Sequence, residues 1–184
     1  PSGQWLVLDT NVVLHQTDVL EHSAISHCII LQTGSTPPPQ QPAAVRCAQR
    51  ADSLCVPPAS VLDETRHRNV GLYNRLRKCT GDSSKQFTVF SNEHHRQTYV
   101  ERRPGESAND RNDRAIRQAT GWYSKHLAST GVKVAMVTND AANKQLALSS
   151  GVSSISLHKV VEGYSDHPEL QDLLAHPDED TSET

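Results

Sequence analysis

Aromatic residues are scarce, at 4% of 184 residues. That excludes a surface built on extensive base stacking, so any nucleic acid contact should depend little on base sequence. An excess of positive charge is also missing. Eighteen Lys and Arg against 21 Asp and Glu give a formal net charge of −3, which excludes a strongly basic polyanion binder. The four cysteines, Cys28, Cys47, Cys55 and Cys79, contain no C-x-x-C pair, against a zinc ribbon or thioredoxin-like motif. Free thiols in a reducing compartment are expected, with a Cys47–Cys55 disulfide as the alternative. No apolar run approaches the roughly 18–20 residues of a membrane span, and PSGQW has neither the basic nor the apolar region of a signal peptide. An opening inside a strand-like segment suggests a domain of a longer protein. The ten histidines include one adjacent pair, His94–His95, and no H-E-x-x-H pattern, so packing or solvated roles are expected of most of them.

What is present reads as alternating strands and helices. The apolar runs QWLVL (4–8), CIIL (28–31), FTVFS (87–91), KVAMVT (133–138) and VSSISL (152–157) have strand character; for CIIL a helix-to-strand connection is the alternative. Helical spacing is predicted over 12–20, over part of 61–79, over 108–128 with Asn109 or Asp110 as cap, and from Ala141 to a stop at Gly151. Ser60 and Asp63–Glu64 resemble a capping box. The alternation predicts an α/β fold, a three-layer α/β/α sandwich with a mostly parallel central sheet. One domain over 1–170 is expected, interrupted by a proline- and glutamine-rich irregular insertion at 34–53, with an acidic tail at 171–184.

Four acids stand where strands end or helices begin: Asp9, Glu64, Asp113 and Asp140. In open parallel sheets, sites form beyond the carboxyl ends of the strands. Asp9 after QWLVL and Asp140 after KVAMVT should project there, and Glu64 and Asp113 lie in first turns of helices that begin on that edge. Converging carboxylates repel and raise one another's pKa, a penalty that a divalent cation removes. Oxygen ligands suit Mg²⁺ or Mn²⁺, as one ion or two, and such a site hydrolyses phosphodiesters by activating a bound water. Each acid alone could instead cap a helix or complement its dipole. Asp110, on the helical face of Asp113, is expected to be a cap or an outer support, with Asn11, Thr138 and Asn139 orienting ligands. Two basic stretches adjoin the acids. Arg66, Arg68, Arg111 and Arg114 are weak candidates for RNA binding, and a solvated helix face explains them as well.

D-T-N after the first strand, V-L-D-E, D-R-A-I and T-N-D, in this order, look like a PIN domain. WLVLDTNVVLHQTDVLEHSAI, HRNVGLYNRLR and NEHHRQTYVERRPGESANDRNDRAIRQATGWY resemble more narrowly the PIN domain of the catalytic ribonuclease subunit of the eukaryotic RNA exosome, over residues 4 to about 160. The resemblance implies an RNase H-like fold and an endoribonuclease that cleaves single-stranded RNA with Mn²⁺ or Mg²⁺ in RNA decay and rRNA processing. It also implies docking to exosome core subunits, no membrane partner, no nucleotide cofactor, and a nuclear location with the cytoplasm as a second compartment. By motif, Asp9, Glu64, Asp113 and Asp140 match the family's catalytic and metal-binding acids. The insertion departs from the family, leaving CIIL–LQT and LCVPPAS (54–60) as candidates for the second strand position. Two further readings are a docking module that tethers an exonuclease with weak or no catalysis, and a toxin-type stand-alone nuclease, which the long middle motif disfavours.

Overall fold

The computed structural model describes residues 3–31 and 70–174. Five strands carry the fold: β1 (Gln4–Leu8), β2 (Cys28–Leu31), β3 (Thr88–Phe90), β4 (Lys133–Val137) and β5 (Ser154–Ile155). They form one sheet in the order β3-β2-β1-β4-β5, and every neighbouring pair is parallel. Strand residues are buried on both sides, as a sheet covered by two helical layers requires. Leu6, Leu8, Cys28, Ile30 and Val137 enter one core, while Val7, Ile29, Leu31, Val134 and Met136 enter the other. The expected three-layer α/β/α sandwich is the observed architecture.

The first core is closed by α1 (Thr10–His15), α2 (Thr17–Glu21), α3 (Val70–Gly81), α6 (Leu157–Glu162) and α7 (Glu169–Asp172). The second is closed by α4 (Ala108–His126) and α5 (Ala141–Ser149). The helix expected over 12–20 is two helices, broken at Gln16 (φ −126°, ψ 30°). There the hydroxyl of Thr17 donates to the carbonyl of Val13 at 2.9 Å, a side-chain bond that competes with helical continuation. CIIL is a strand and occupies the second strand position beside β1; residues 54–60 lie outside the described residues. The run expected as a strand over 152–157 is a strand only at 154–155, and Leu157 opens α6.

Helix α4 starts earlier than either sequence candidate. Its cap is Ser107, not Asn109 or Asp110. The Ser107 hydroxyl accepts from the Asp110 amide at 3.0 Å and donates to the Asp110 carboxylate at 2.7 Å, a reciprocal arrangement one turn upstream of the sequence reading. Gly151 does end α5, with φ +71°, the left-handed conformation that favours glycine after a helix. The boundary expected at 170 falls inside α7, where Leu170 is fully buried and Leu174 packs against the first core. Cys28 and Cys79 are free and buried, and burial pushes the Cys28 thiol well above its usual range. The insertion at 34–53, the Cys47–Cys55 alternative and the tail from 175 lie outside the described residues. Among the described residues no helix is long and apolar enough to cross a membrane.

Candidate active site

The chain order switches direction between β1 and β4, and the crevice beyond their carboxyl ends is where such sheets place a site. Leu8 is in register with Val137, so Asp9 and Thr138 stand side by side immediately past the strands. The Asp9 amide donates to the Val137 carbonyl at 3.0 Å. Asp9 is 1% exposed and Thr138 is fully buried. A carboxyl group at that depth requires hydrogen-bond partners, and Asp9 has them. Its Oδ2 accepts from the Thr138 hydroxyl at 2.5 Å and from the Asn143 side-chain amide at 3.3 Å, and its Oδ1 accepts from the Asn11 amide at 3.4 Å. Asp9 is thus both the cap of α1 and the buried floor of the crevice.

Asp140 caps α5, its Oδ1 accepting from the Asn143 amide at 2.9 Å, while the Thr138 hydroxyl accepts from the Asp140 amide at 3.1 Å. The side chain of Asp140 is otherwise exposed at the crevice mouth. Asp113 arrives from the second turn of α4, six residues beyond the cap, rather than from the first turn that the sequence predicts. Burial pushes its carboxyl up to about 7, with Asp9, Asp140 and Asp110 adding repulsion in that order and Arg117 opposing them. Asp9, Asp140 and Asp110 are thus near enough to Asp113 for their charges to act on it. Convergence stops short of a single tight shell, however. Among the described residues the ligand oxygens of these acids do not form a group lying within 4.8 Å of one another. An all-carboxylate donor set is the kind that suits Mg²⁺ or Mn²⁺, ions that keep several of their own waters.

Glu64, Arg66 and Arg68 lie outside the described residues. Asn139 has its Oδ1 on the Leu157 amide at 3.1 Å, tying the start of α6 to the crevice loop. Asp110 serves the α4 cap. Arg111 Nε donates to the Val100 carbonyl at 3.1 Å. Arg114 forks onto Glu106 at 2.8 and 2.7 Å and onto the Glu101 carbonyl at 2.7 Å, and this pairing holds the Glu106 carboxyl down at about 2. Both arginines therefore brace the 100–107 loop against α4.

Sequence reasoning missed Asn143. It is 2% exposed and bridges the site: its amide nitrogen donates to Asp9, its Oδ1 accepts from Arg117, and its backbone amide is capped by Asp140. The available signal was its place three residues after Asp140, on the inward face of the first turn of α5. Thr10 was missed too; its hydroxyl accepts from the Asn112 side chain, joining α1 to α4. Beside this network a groove of about 450 Å³ runs between α4 and α5, lined by Arg117, Trp122, Lys125 and Leu146 among others.

An α/β/α sandwich with a parallel sheet of order β3-β2-β1-β4-β5 and carboxylates beyond its strand-order switch is the class of fold that this chain shows. A PIN-domain family model matches residues 6–158, and the chain belongs to the PIN domain family. It is homologous to the exosome complex exonuclease RRP44: 41% identical over 179 residues to the Homo sapiens protein, 38% over 187 residues to that of Mus musculus, and 42% over 176 residues to homolog A of Arabidopsis thaliana. These alignments cover 95%, 100% and 96% of this chain but only 16%, 17% and 16% of the relatives. The chain thus spans about one sixth of their length. The solved structure of the T. brucei RRP44 PIN domain superposes with a TM-score of 0.63 at 26% identity, covering 94% of this chain and 86% of that one.

Proposed function

We propose that this domain is a divalent-metal-dependent endoribonuclease that hydrolyses phosphodiester bonds in single-stranded RNA as part of exosome RNA processing and decay. The observation that carries the reading is the half-buried Asp113 carboxyl, held up at about 7 by desolvation and by Asp9 and Asp140. Acids crowded together at a strand-order switch, with one of them held largely protonated, are candidates for a site that binds positive charge. Mn²⁺ or Mg²⁺, as one ion or two, held by Asp9, Asp113 and Asp140 and by Glu64 on the family pattern, would supply that charge, an activated water and stabilisation of the leaving oxygen.

The chain's own residues set the geometry. Thr138 and Asn143 fix the Asp9 carboxylate by donating to Oδ2, leaving Oδ1 only the long Asn11 contact. Arg117 holds Asn143 in place through Oδ1 and is the cation nearest in effect to Asp113. The groove beside it offers Arg117 and Lys125 to phosphates, while its Trp122 ring is already packed against His126 and Phe90.

A circular single-stranded RNA incubated with the domain and Mn²⁺ tests the reading, since a circle has no end for an exonuclease to use. Linearisation is expected, and Asp9→Asn should abolish it. A circle left intact by the unmutated domain would favour the second reading, a docking module with weak or no catalysis. Leu146 and Leu148 on α5, 53% and 55% exposed, are the observation that favours that role, and exosome core subunits are the partners it would engage.

A further inference from the structure

The one group of three His, Cys, Asp or Glu side chains among the described residues whose ligand atoms all lie within 4.8 Å of one another is far from the carboxylates: His22, His167 and Glu169. His22 ends α2, while His167 and Glu169 follow α6. In a parallel sheet the helices leave the carboxyl edge and return to the amino edge, so this group sits at the edge opposite Asp9 and Asp140. Helices α2 and α6 both cover the first core, which brings their ends together.

We propose that His22, His167 and Glu169 form a zinc site that clasps the segment after α6 to the end of α2. Glu169 Oε1 stands 3.1 Å from His22 Nε2 and 3.0 Å from His167 Nδ1. Ligands of a tetrahedral Zn²⁺ with bonds near 2.0–2.1 Å stand roughly 3.3 Å apart, so little movement is needed to admit the ion. Two imidazoles and one carboxylate suit Zn²⁺, whereas the all-carboxylate crevice suits Mg²⁺ or Mn²⁺. A water would complete the shell on the solvent side, where Glu169 is half exposed.

The three ligands are held from outside the cluster. The His22 carbonyl accepts from Lys85 Nζ at 2.8 Å and from the Ile25 amide at 3.1 Å. The His167 amide donates to the Tyr164 carbonyl at 2.9 Å, and its carbonyl accepts from the Leu170 amide at 3.1 Å. Leu170, next to Glu169, is fully buried. Without metal the cluster is a hydrogen-bonded trio: the Ala24 amide donates to His22 Nδ1 at 3.3 Å, which leaves the ring proton on Nε2, directed at Glu169. Zinc entry moves that proton to Nδ1 and frees the Nε2 lone pair; Nδ1–H then faces the Ala24 amide, a second donor, so that 3.3 Å contact must open. The proposal does not rest on nuclease activity at the opposite edge.

The test uses the 184-residue chain stripped with a chelator, titrated with Zn²⁺ in parallel with Mn²⁺, with calorimetry and thermal melting as readouts. One equivalent of Zn²⁺ should bind and raise the melting midpoint by about 5 °C or more at a hundredfold excess over its dissociation constant. His167→Gln at a partly buried position and Glu169→Gln at an exposed one should each weaken zinc binding by at least ~100-fold, beyond what supporting residues of a metal site cost. Asp9→Asn should keep the zinc response in full. Nitrogen-resolved NMR should show the His22 ring proton on Nδ1 once zinc is bound. A zinc response that survives His167→Gln and Glu169→Gln, or one that disappears in Asp9→Asn, overturns the proposal. So does a His22 that keeps its proton on Nε2 in equimolar zinc.

Discussion

Asp113 carries the sharpest consequence at the scale of single residues. Its carboxyl is raised from the usual 3.8 to about 7 in the folded chain, so the folded state binds a proton that the unfolded state releases between those values. Stability of the metal-free protein therefore falls as pH rises from about 4 to 7, and the penalty is fully present above 7. Asp113→Asn should remove it, stabilising the metal-free domain at pH 8 by about 1–2 kcal/mol, a value discounted because the carboxyl is only half buried. The gain should vanish near pH 4. Urea unfolding in chelator at both pH values measures this, and equal stability at pH 8 would mean the acids do not crowd. Asp9, Asp113 and Asp140 were legible in sequence because each follows a recognisable strand end or helix start. Asn143 was not, because its value lies in bridging Asp9 and Arg117, which come from other elements.

At the scale of elements, the end of α2 depends on a residue far along the chain. Lys85 is 7% exposed, and its ammonium donates to the carbonyls of Leu20 and His22, both at 2.8 Å. Those carbonyls have no onward helical partner, and positive charge at a helix C-terminus is favourable. Lys85→Met keeps the length of the side chain but removes the ammonium that stands over the Phe87 ring, leaving the Leu20 carbonyl the long Cys79 thiol contact and the His22 carbonyl the Ile25 amide. A loss of about 2 kcal/mol is expected, from two charge-assisted bonds less the desolvation that lysine no longer suffers. The thermal midpoint should drop by about 5 °C; an unchanged midpoint would place the end of α2 under other control. Arg75, paired with Asp18 and with Glu21 at 2.8 Å, fastens α3 to the same helix, and this pairing lowers the Glu21 carboxyl. Sequence periodicity found α4 and α5 but not the break at Gln16, which a local hydroxyl bond makes, nor α6 and α7, too short to show a period.

Across the whole molecule, the sheet separates the carboxylate crevice from the proposed zinc cluster. Five residues of β1 span roughly 16 Å, which separates the carboxylate crevice from the His22–His167–Glu169 cluster by more than the distance over which effects couple. Stabilisation by Mn²⁺ and by Zn²⁺ should therefore add within about 0.5 kcal/mol when both are present. Strong non-additivity in melting experiments would place both ions at one site. The sequence by itself determined that this is an α/β chain with acids at its strand ends, because buried strands, helical spacing and polar strand termini are local patterns. It also carried the family motifs. Only the tertiary structure decided which strands are neighbours, that Asp9 rests on Thr138 and Asn143, that Arg111 and Arg114 brace a loop, and that two histidines distant in sequence meet one glutamate. Those are contacts between elements, set by sheet order and by which helix faces share a core, and no local pattern in the chain encodes them.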